Sequence, residues 1–203
     1  MEHFDDVVLV TDVRFAEVAM SLRGILESYR LIVHFVRLVQ RRQCEAFFSG
    51  VDRPSAELTI LASHGLTTDD GEPCLWFECV DNPSPDPKAT SGWVPDRFDL
   101  TPTTIPKYVR DMQGSVVSVA CGGGREPLAR AFLAAGADAY VGATEPYIDM
   151  GSAVLFVTGL VYYLLAGDRD FAPRGYTFDE AVQRASEFDA DWAGGTGSFR
   201  VWR

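Results

Sequence analysis

The chain has 203 residues, a net charge of −11, 47% hydrophobic residues and 23% charged residues. This composition is typical of a soluble globular protein, and the length predicts one domain over residues 1–203. The acidic balance excludes an extended nucleic-acid surface, because phosphate binding needs clustered lysine and arginine.

Neither the first residues nor the most apolar stretch of the chain has the pattern of a secretory signal or a membrane span. The first residues, "MEHFDDVVLV", carry acids where a secretory signal carries positive charge, so we expect no export. The apolar stretch Ser152–Gly167 has 16 residues, whereas a membrane span needs about 20, so we expect a buried helix and no membrane contact.

The cysteines give a hint about compartment. Cys44, Cys74, Cys79 and Cys121 contain no CxxC pair. We therefore expect reduced thiols in a cytoplasmic protein, with no structural metal and no cofactor.

Strand patterns and helix patterns alternate along the chain. In order, we predict strands at 5–13, 31–39, 56–66, 73–80, 115–121 and 139–144, and helices at 14–30, 42–48, 101–112, 125–137, 152–167 and 177–189. Gly136 closes one helix, and Thr177 with Glu180 forms a capping box before another. The tail 194–203 is either an edge strand or loose. Such alternation predicts a three-layer α/β/α sandwich with a mostly parallel central sheet.

One connection stands out by its length. The polar, proline-rich passage 81–106 is longer than an ordinary loop, and such loops are usually functional or mobile.

A cysteine and three glycines follow the predicted strand at 115–121, in "VACGGGREPLARAFL". A P-loop needs Lys-Ser/Thr after its glycines, a dinucleotide fingerprint needs a later glycine, and a cysteine phosphatase needs an arginine six residues after the thiol. Pro127 stands where the dinucleotide fingerprint needs its later glycine and where the cysteine phosphatase needs its arginine. Arg125-Glu126 does not supply the Lys-Ser/Thr that a P-loop needs. The glycines therefore favour a tight turn, although an anion nest at the helix start stays open as a weaker alternative.

Cys121 is also a candidate nucleophile. A thiolate is favoured by a nearby imidazole or a helix N-terminus, and a helix follows Cys121. His3 lies near the start and His34 inside a strand, whereas His64 ends a strand and precedes a glycine. Because parallel strands end at one edge of a sheet, His64 and Cys121 are expected at the same edge.

These two motifs resemble a known family. "LTILASHGL" and "VVSVACGGG", with His64 and Cys121 57 positions apart, resemble the caspase-like (clan CD) cysteine peptidases, in which a histidine precedes the cysteine by about 50 residues in caspases. The resemblance is closest to bacterial CHAT domains, whose C-terminal pattern is similar to "FLAAGADAYVGATEPYIDMGSAVLFVTGLVYYLLAG" and "TFDEAVQRA". It covers roughly residues 56–186.

The resemblance implies a caspase-like fold and a peptidase dyad. His64 would be the general base and acid, Cys121 the nucleophile, and the N–H groups of Gly65 and Cys121 the oxyanion donors. The pair need not share a hydrogen bond, because in this family the substrate lies between them. The expected partner is a protein or peptide substrate, with a regulatory partner protein in a bacterial defence or signalling setting.

Two features leave the specificity and the activity open. Val119 stands where metacaspases have Asp and caspases Gln, so neither preference carries over. Asp69 (with Asp70), Glu145 and Asp149 are candidates for a pocket that binds a basic residue, although acids at loop ends are usually solvated. The alternative function is a catalytically inactive member of the fold that acts as a protein-binding scaffold.

Overall fold

A computed structural model describes residues 5–80, 96–165, 176–193 and 199–203. The strands are β1 Asp6–Thr11, β2 Ile32–Arg37, β3 Leu58–Ala62, β4 His64–Thr67, β5 Pro73–Cys79, β6 Asp96–Leu100, β7 Ser115–Ser118, β8 Ala139–Ala143 and β9 Phe199–Trp202. The helices are α1 Ala16–Ser28, α2 Arg41–Phe48, α3 Ile105–Tyr108, α4 Glu126–Ala134, α5 Met150–Leu165 and α6 Phe178–Ala193.

The central sheet has six strands in the order β2-β1-β3-β7-β8-β9. The first five are parallel, and β9 is antiparallel to β8. The inner strands read as continuous apolar runs because both faces of a parallel sheet are covered. The predicted mostly parallel sheet is confirmed, and the tail supplies an edge strand.

Alternate residues of each strand enter two separate cores. On β1, Val7 and Leu9 pack with α1, α5 and α6, whereas Val8 and Val10 pack with α2, α3 and α4. All four side chains are fully buried. Helices therefore cover both faces of the sheet, which confirms the α/β/α sandwich.

A second, three-stranded antiparallel sheet, β4-β5-β6, corrects the sequence prediction. The strand predicted over 56–66 ends at Ala62, and His64 begins β4 in the second sheet. Gly71, with φ +83°, closes the β4–β5 hairpin. β6 falls within the long connection where no strand was predicted, and the first part of that connection, 81–95, lies outside the described residues.

The helix predicted over 101–112 is also shorter than expected. It ends at Tyr108, and Val109 is extended. The next amide, Arg110 N–H, donates to the Phe48 carbonyl at 2.9 Å, so a bond to the end of α2 replaces the continuing helix.

The other helix ends follow their sequence signatures. Thr177 N–H donates to Glu180 Oε2 at 2.9 Å and Glu180 N–H to Thr177 Oγ1 at 3.4 Å, which confirms the capping box. Gly136, with φ +105°, follows α4 as predicted. Across the part of the chain that the structure describes, no helix is both long and apolar enough to cross a membrane.

Candidate active site

His64 and Cys121 follow neighbouring strands of the central sheet. β3 and β7 are parallel, with Leu61 opposite Ser118. His64 comes two residues after β3 ends, and Cys121 three residues after β7 ends. Both residues therefore lie at the carboxyl edge of the sheet.

Gly65 makes the contact between the two segments. A Cβ built on Gly65 would lie 1.8 Å from the carbonyl oxygen of Cys121, 2.7 Å from its carbonyl carbon and 2.9 Å from its nitrogen. Only glycine allows β4 to cross the Cys121 peptide at this distance. The crossing places His64 one residue away from the backbone of the candidate nucleophile.

The glycine turn after Cys121 is hydrogen-bonded inward. Gly122, with φ +61°, is in the left-handed region that favours glycine. Gly122 N–H donates to the Glu145 carbonyl at 2.6 Å. Gly123 N–H donates to the Ala120 carbonyl at 3.0 Å, and Gly124 N–H donates to the Ala143 carbonyl at 2.7 Å. An anion nest needs amides that point at a ligand. These three are already occupied, which argues against the anion-binding alternative.

The carbonyls of the turn are held as well. Tyr140 O–H donates to Gly123 O at 2.7 Å, and Trp202 Nε1–H donates to Gly124 O at 3.0 Å. Burial raises the pKa of Tyr140, so its hydroxyl stays a neutral donor. A Cβ on Gly124 would lie 2.0 Å from Gly142 O, and one on Gly142 would lie 2.6 Å from Gly124 N. Because neither glycine carries a side chain, β8 packs directly against the turn, and this packing fixes the position of the turn.

Cys121 is partly exposed, whereas the other three cysteines are buried. Ile148 N–H donates to Cys121 Sγ at 3.4 Å, and Sγ lies 3.7 Å from the Ile148 carbonyl oxygen. Burial raises the pKa of Cys74 to about 12, so that thiol stays protonated.

The His64 imidazole lies between two aromatic rings. Trp76 stacks on it with ring centres 4.1 Å apart and planes 12° apart. Phe15 meets it edge-on, with centres 4.5 Å apart and planes at 71°. Nε2 is buried and has no hydrogen-bond partner among the described residues. No hydrogen bond joins the imidazole to Cys121 in the described chain, as the family resemblance allowed.

Charged groups surround the covered side of the ring. The fully buried Asp12 carboxylate accepts the N–H groups of Arg14 at 2.9 Å, Phe15 at 3.0 Å and Glu78 at 2.9 Å. Arg14 also forms an ion pair with Glu78. The pKa of His64 is lowered, chiefly by burial and also by Arg14, while Asp12 and Glu78 act in the opposite direction. A lowered pKa keeps the imidazole neutral and able to accept a proton at neutral pH.

Two of the predicted substrate-binding acids lie in the segment that contacts Cys121. The Glu145 carbonyl accepts the Gly122 amide. The Asp149 carboxylate caps α5, because Oδ1 accepts Ser152 N–H at 3.0 Å and Oδ2 accepts Ser152 Oγ–H at 2.7 Å. These bonds lower the pKa of Asp149. Asp149 thus has a structural task, and the substrate-binding role of both acids stays a prediction.

The other predicted specificity positions lie elsewhere. Asp69 and Asp70 are exposed in the turn of the β4–β5 hairpin, at the end away from His64. Val119 is 3% exposed in the core, and its N–H donates to Leu61 O at 3.1 Å. Val119 therefore contributes to packing and cannot line a surface pocket.

Sequence reasoning missed the residues that surround His64. Phe15 and Asp12 come from the connection between β1 and α1, and Trp76 comes from β5 across the hairpin. The Asp70-Gly71 pair between two apolar runs is a hairpin signature that could have placed Trp76 opposite His64. Within the described residues, no cluster of three or more His, Cys, Asp or Glu side chains is arranged to hold a metal ion.

No protein-family model and no curated protein matches the sequence. The structure, however, is similar to the crystal structure of the Arg-specific cysteine proteinase gingipain R (RGPB), with a TM-score of 0.62 and 12% sequence identity. The match covers 97% of this chain and 45% of that one, so this chain spans less than half of its length. At this identity the likeness concerns architecture alone: the chain has the caspase-like α/β fold of that proteinase.

Proposed function

We propose that the chain is a cysteine peptidase that cleaves a protein or peptide through Cys121 and His64. The observation that carries the proposal is the crossing of Gly65 over the Cys121 peptide at the edge where β3 and β7 end. The contact brings the backbone of the residue after His64 against the backbone of Cys121, whose side chain is partly exposed. A groove that holds an extended peptide there would present its carbonyl to the side chains of His64 and Cys121.

The reaction follows from the two side chains. The Cys121 sulfur attacks the carbonyl carbon of the scissile bond, and His64 takes up the thiol proton. The C–N bond then breaks, the same proton passes to the leaving amine, and a thioester remains on Cys121. Water, deprotonated by His64, hydrolyses the thioester and restores the thiol. Because Nε2 is buried, Nδ1 is the nitrogen assigned to these transfers.

The oxyanion would be held by backbone amides. The Cys121 N–H donates to no acceptor among the described residues, so it is available to a substrate oxygen. Gly65 N–H is the proposed second donor, on the strand that crosses Cys121. Two preorganised donors of this kind stabilise the negative oxygen of the tetrahedral intermediate.

Substitution of each catalytic residue tests the proposal. Cys121→Ala and His64→Ala should each lower hydrolysis of a mixed fluorogenic peptide library on the order of 10³-fold or more, with nearly unchanged thermal stability. His34→Ala is the matched control, because His34 lies on the edge strand β2, away from Cys121, with Nε2 3.8 Å from a carboxylate oxygen of Asp6. Retained cleavage in either site variant would refute the peptidase proposal.

The library also addresses specificity. Peptides with Arg, Asp or Leu before the cut test whether Asp69, Glu145 or Asp149 selects a basic residue. A preference for Arg that Glu145→Gln abolishes would assign that acid to the substrate pocket. Equal cleavage of all three peptides would remove the acids from the proposal.

The scaffold function is the second candidate, and the burial of His64 Nε2, which has no hydrogen-bond partner among the described residues, favours it. A thiol-reactive peptide probe separates the two functions, because labelling of Cys121 in preference to the buried cysteines requires an open, reactive groove. We also keep as proposals the kinship with CHAT domains, the single domain over 1–203, the cytoplasmic setting and a regulatory partner in bacterial defence or signalling.

A further inference from the structure

The His64 side chain lies on the outer face of the small sheet, in a row of side chains that crosses all three strands. His64 on β4 is opposite Trp76 on β5, and Trp76 is opposite Asp99 on β6. Directly opposed residues of antiparallel strands share one face, and their side chains touch. The position of the imidazole is therefore coupled to the residues across the sheet.

Trp76 also contacts Arg97, from the third strand of the small sheet. The Arg97 guanidinium carbon lies 5.1 Å from the centre of the Trp76 ring. Arg97 Nε–H donates to Asp99 Oδ1 at 3.2 Å, and a second guanidinium nitrogen, Nη2, donates to Asp99 Oδ2 at 3.0 Å. This bidentate pair keeps the guanidinium over the indole ring. The indole presented to His64 is thus a braced surface.

Among the described residues, no hydrogen bond to Nε2 fixes the orientation of the His64 ring. Nε2 is buried and lacks a partner among the described residues. Of the nearby charged groups, the Asp12 carboxylate already accepts three backbone amides, and Glu78 is paired with Arg14. Ring contacts are the remaining interactions that fix the plane of the imidazole, and of the two, the 12° stack on Trp76 covers a whole face.

We propose that Trp76 is the positioning residue for His64: its braced indole face holds the imidazole plane so that the second ring nitrogen stays directed to the substrate. The proposal rests on the peptidase function. Trp76 touches no reacting atom, so its effect passes through His64. An imidazole that can rotate or tilt transfers its proton from a displaced position, and a displacement of about 1 Å costs roughly 10²-fold in rate.

Three substitutions separate stacking from simple burial. Trp76→Phe keeps an aromatic face, Trp76→Leu keeps apolar cover without one, and Trp76→Ala removes both. We expect kcat to fall roughly 10- to 100-fold in Trp76→Ala and Trp76→Leu with little change in KM, and Trp76→Phe to recover most of the loss. Tyr162→Ala, which removes a different exposed aromatic contact, on α5, is the matched control.

Titration of His64 by NMR gives a readout independent of cleavage. The lowered pKa of His64 results chiefly from burial, so uncovering the ring in Trp76→Ala should raise it towards the ordinary value. The acidic limb of the kcat/KM profile should move to higher pH with it. The His64 resonance is identified by its loss in His64→Asn, in the full chain.

The outcomes distinguish the two proposals. If the wild type cleaves nothing, the peptidase function fails, and the titration alone decides: a pKa of His64 that rises in Trp76→Ala and in Trp76→Leu but not in Trp76→Phe supports a role of the aromatic stack. Unchanged titration and unchanged kcat in Trp76→Ala would overturn the inference. A loss in Trp76→Phe as large as in Trp76→Ala would also overturn it, because stacking would then not be the cause.

Discussion

Gly65→Ala places a methyl group inside the peptide of Cys121. The added Cβ would lie 1.8 Å from the carbonyl oxygen, and real Cβ contacts are essentially never shorter than 3.0 Å, so β4 or the Cys121 loop must move by about 1.2 Å. The loop resists this movement, because every amide of its three glycines is hydrogen-bonded inward. Overpacking of this kind costs about 1–3 kcal/mol of folding free energy.

The same displacement acts on catalysis. Separating His64 from Cys121 by about 1 Å should lower kcat/KM roughly 10²-fold. Chemical denaturation gives the stability change, and hydrolysis of the best library peptide gives the rate. Gly24→Ala on α1 is the control, because nothing lies within 4 Å of the point where its Cβ would sit and the helix should gain about 0.5–1 kcal/mol. If Gly65→Ala had wild-type stability and rate, the crossing of β4 over Cys121 would be wrong.

Two further predictions concern the thiol and the cap beside it. A water-soluble thiol reagent should label Cys121 in the native protein and reach the other three cysteines only on unfolding, since these are buried; native labelling of a second cysteine by mass spectrometry would contradict the described packing. Asp149→Ala should lower stability by about 0.5–2 kcal/mol at neutral pH, because it removes the cap of α5. The pKa of Asp149 is lowered in the folded state, so this stabilisation is complete above the unfolded pKa of about 3.9 and is lost as the pH falls through the lower folded value. A stability gap between wild type and variant that did not shrink as the pH fell below the unfolded pKa of about 3.9 would show that the carboxylate charge has no part in it.

The central sheet could be predicted because its strands are short apolar runs separated by helical patterns. That alternation has few topological solutions, and it is enough to place His64 and Cys121 at one edge of the sheet. The second sheet could not be obtained the same way. β4 has four residues and holds no apolar run, since its sequence is "HGLT", and β6 is "DRFDL", in which charges alternate with Phe98 and Leu100.

The immediate surroundings of the site depend on pairing across chain-distant segments. Trp76 meets His64 only through the register of the β4–β5 hairpin, and Phe15 reaches it from the first helix connection. The acids predicted as substrate ligands illustrate a second limit. The sequence shows a carboxylate after a strand, but the cap that Asp149 forms on α5 depends on where that helix begins.

The mutual contact of Gly124 and Gly142 has a consequence for tracing the ancestry of this chain. Each glycine occupies the space that a side chain on the other would need. A larger residue at one position cannot be compensated at the other, because a glycine has no side chain that could be shortened. A relative in which either glycine is replaced must hold its cysteine at a different height above the sheet. Retention of both glycines is therefore the expected mark of relatives that hold the turn after Cys121 in the same position, whatever their overall identity.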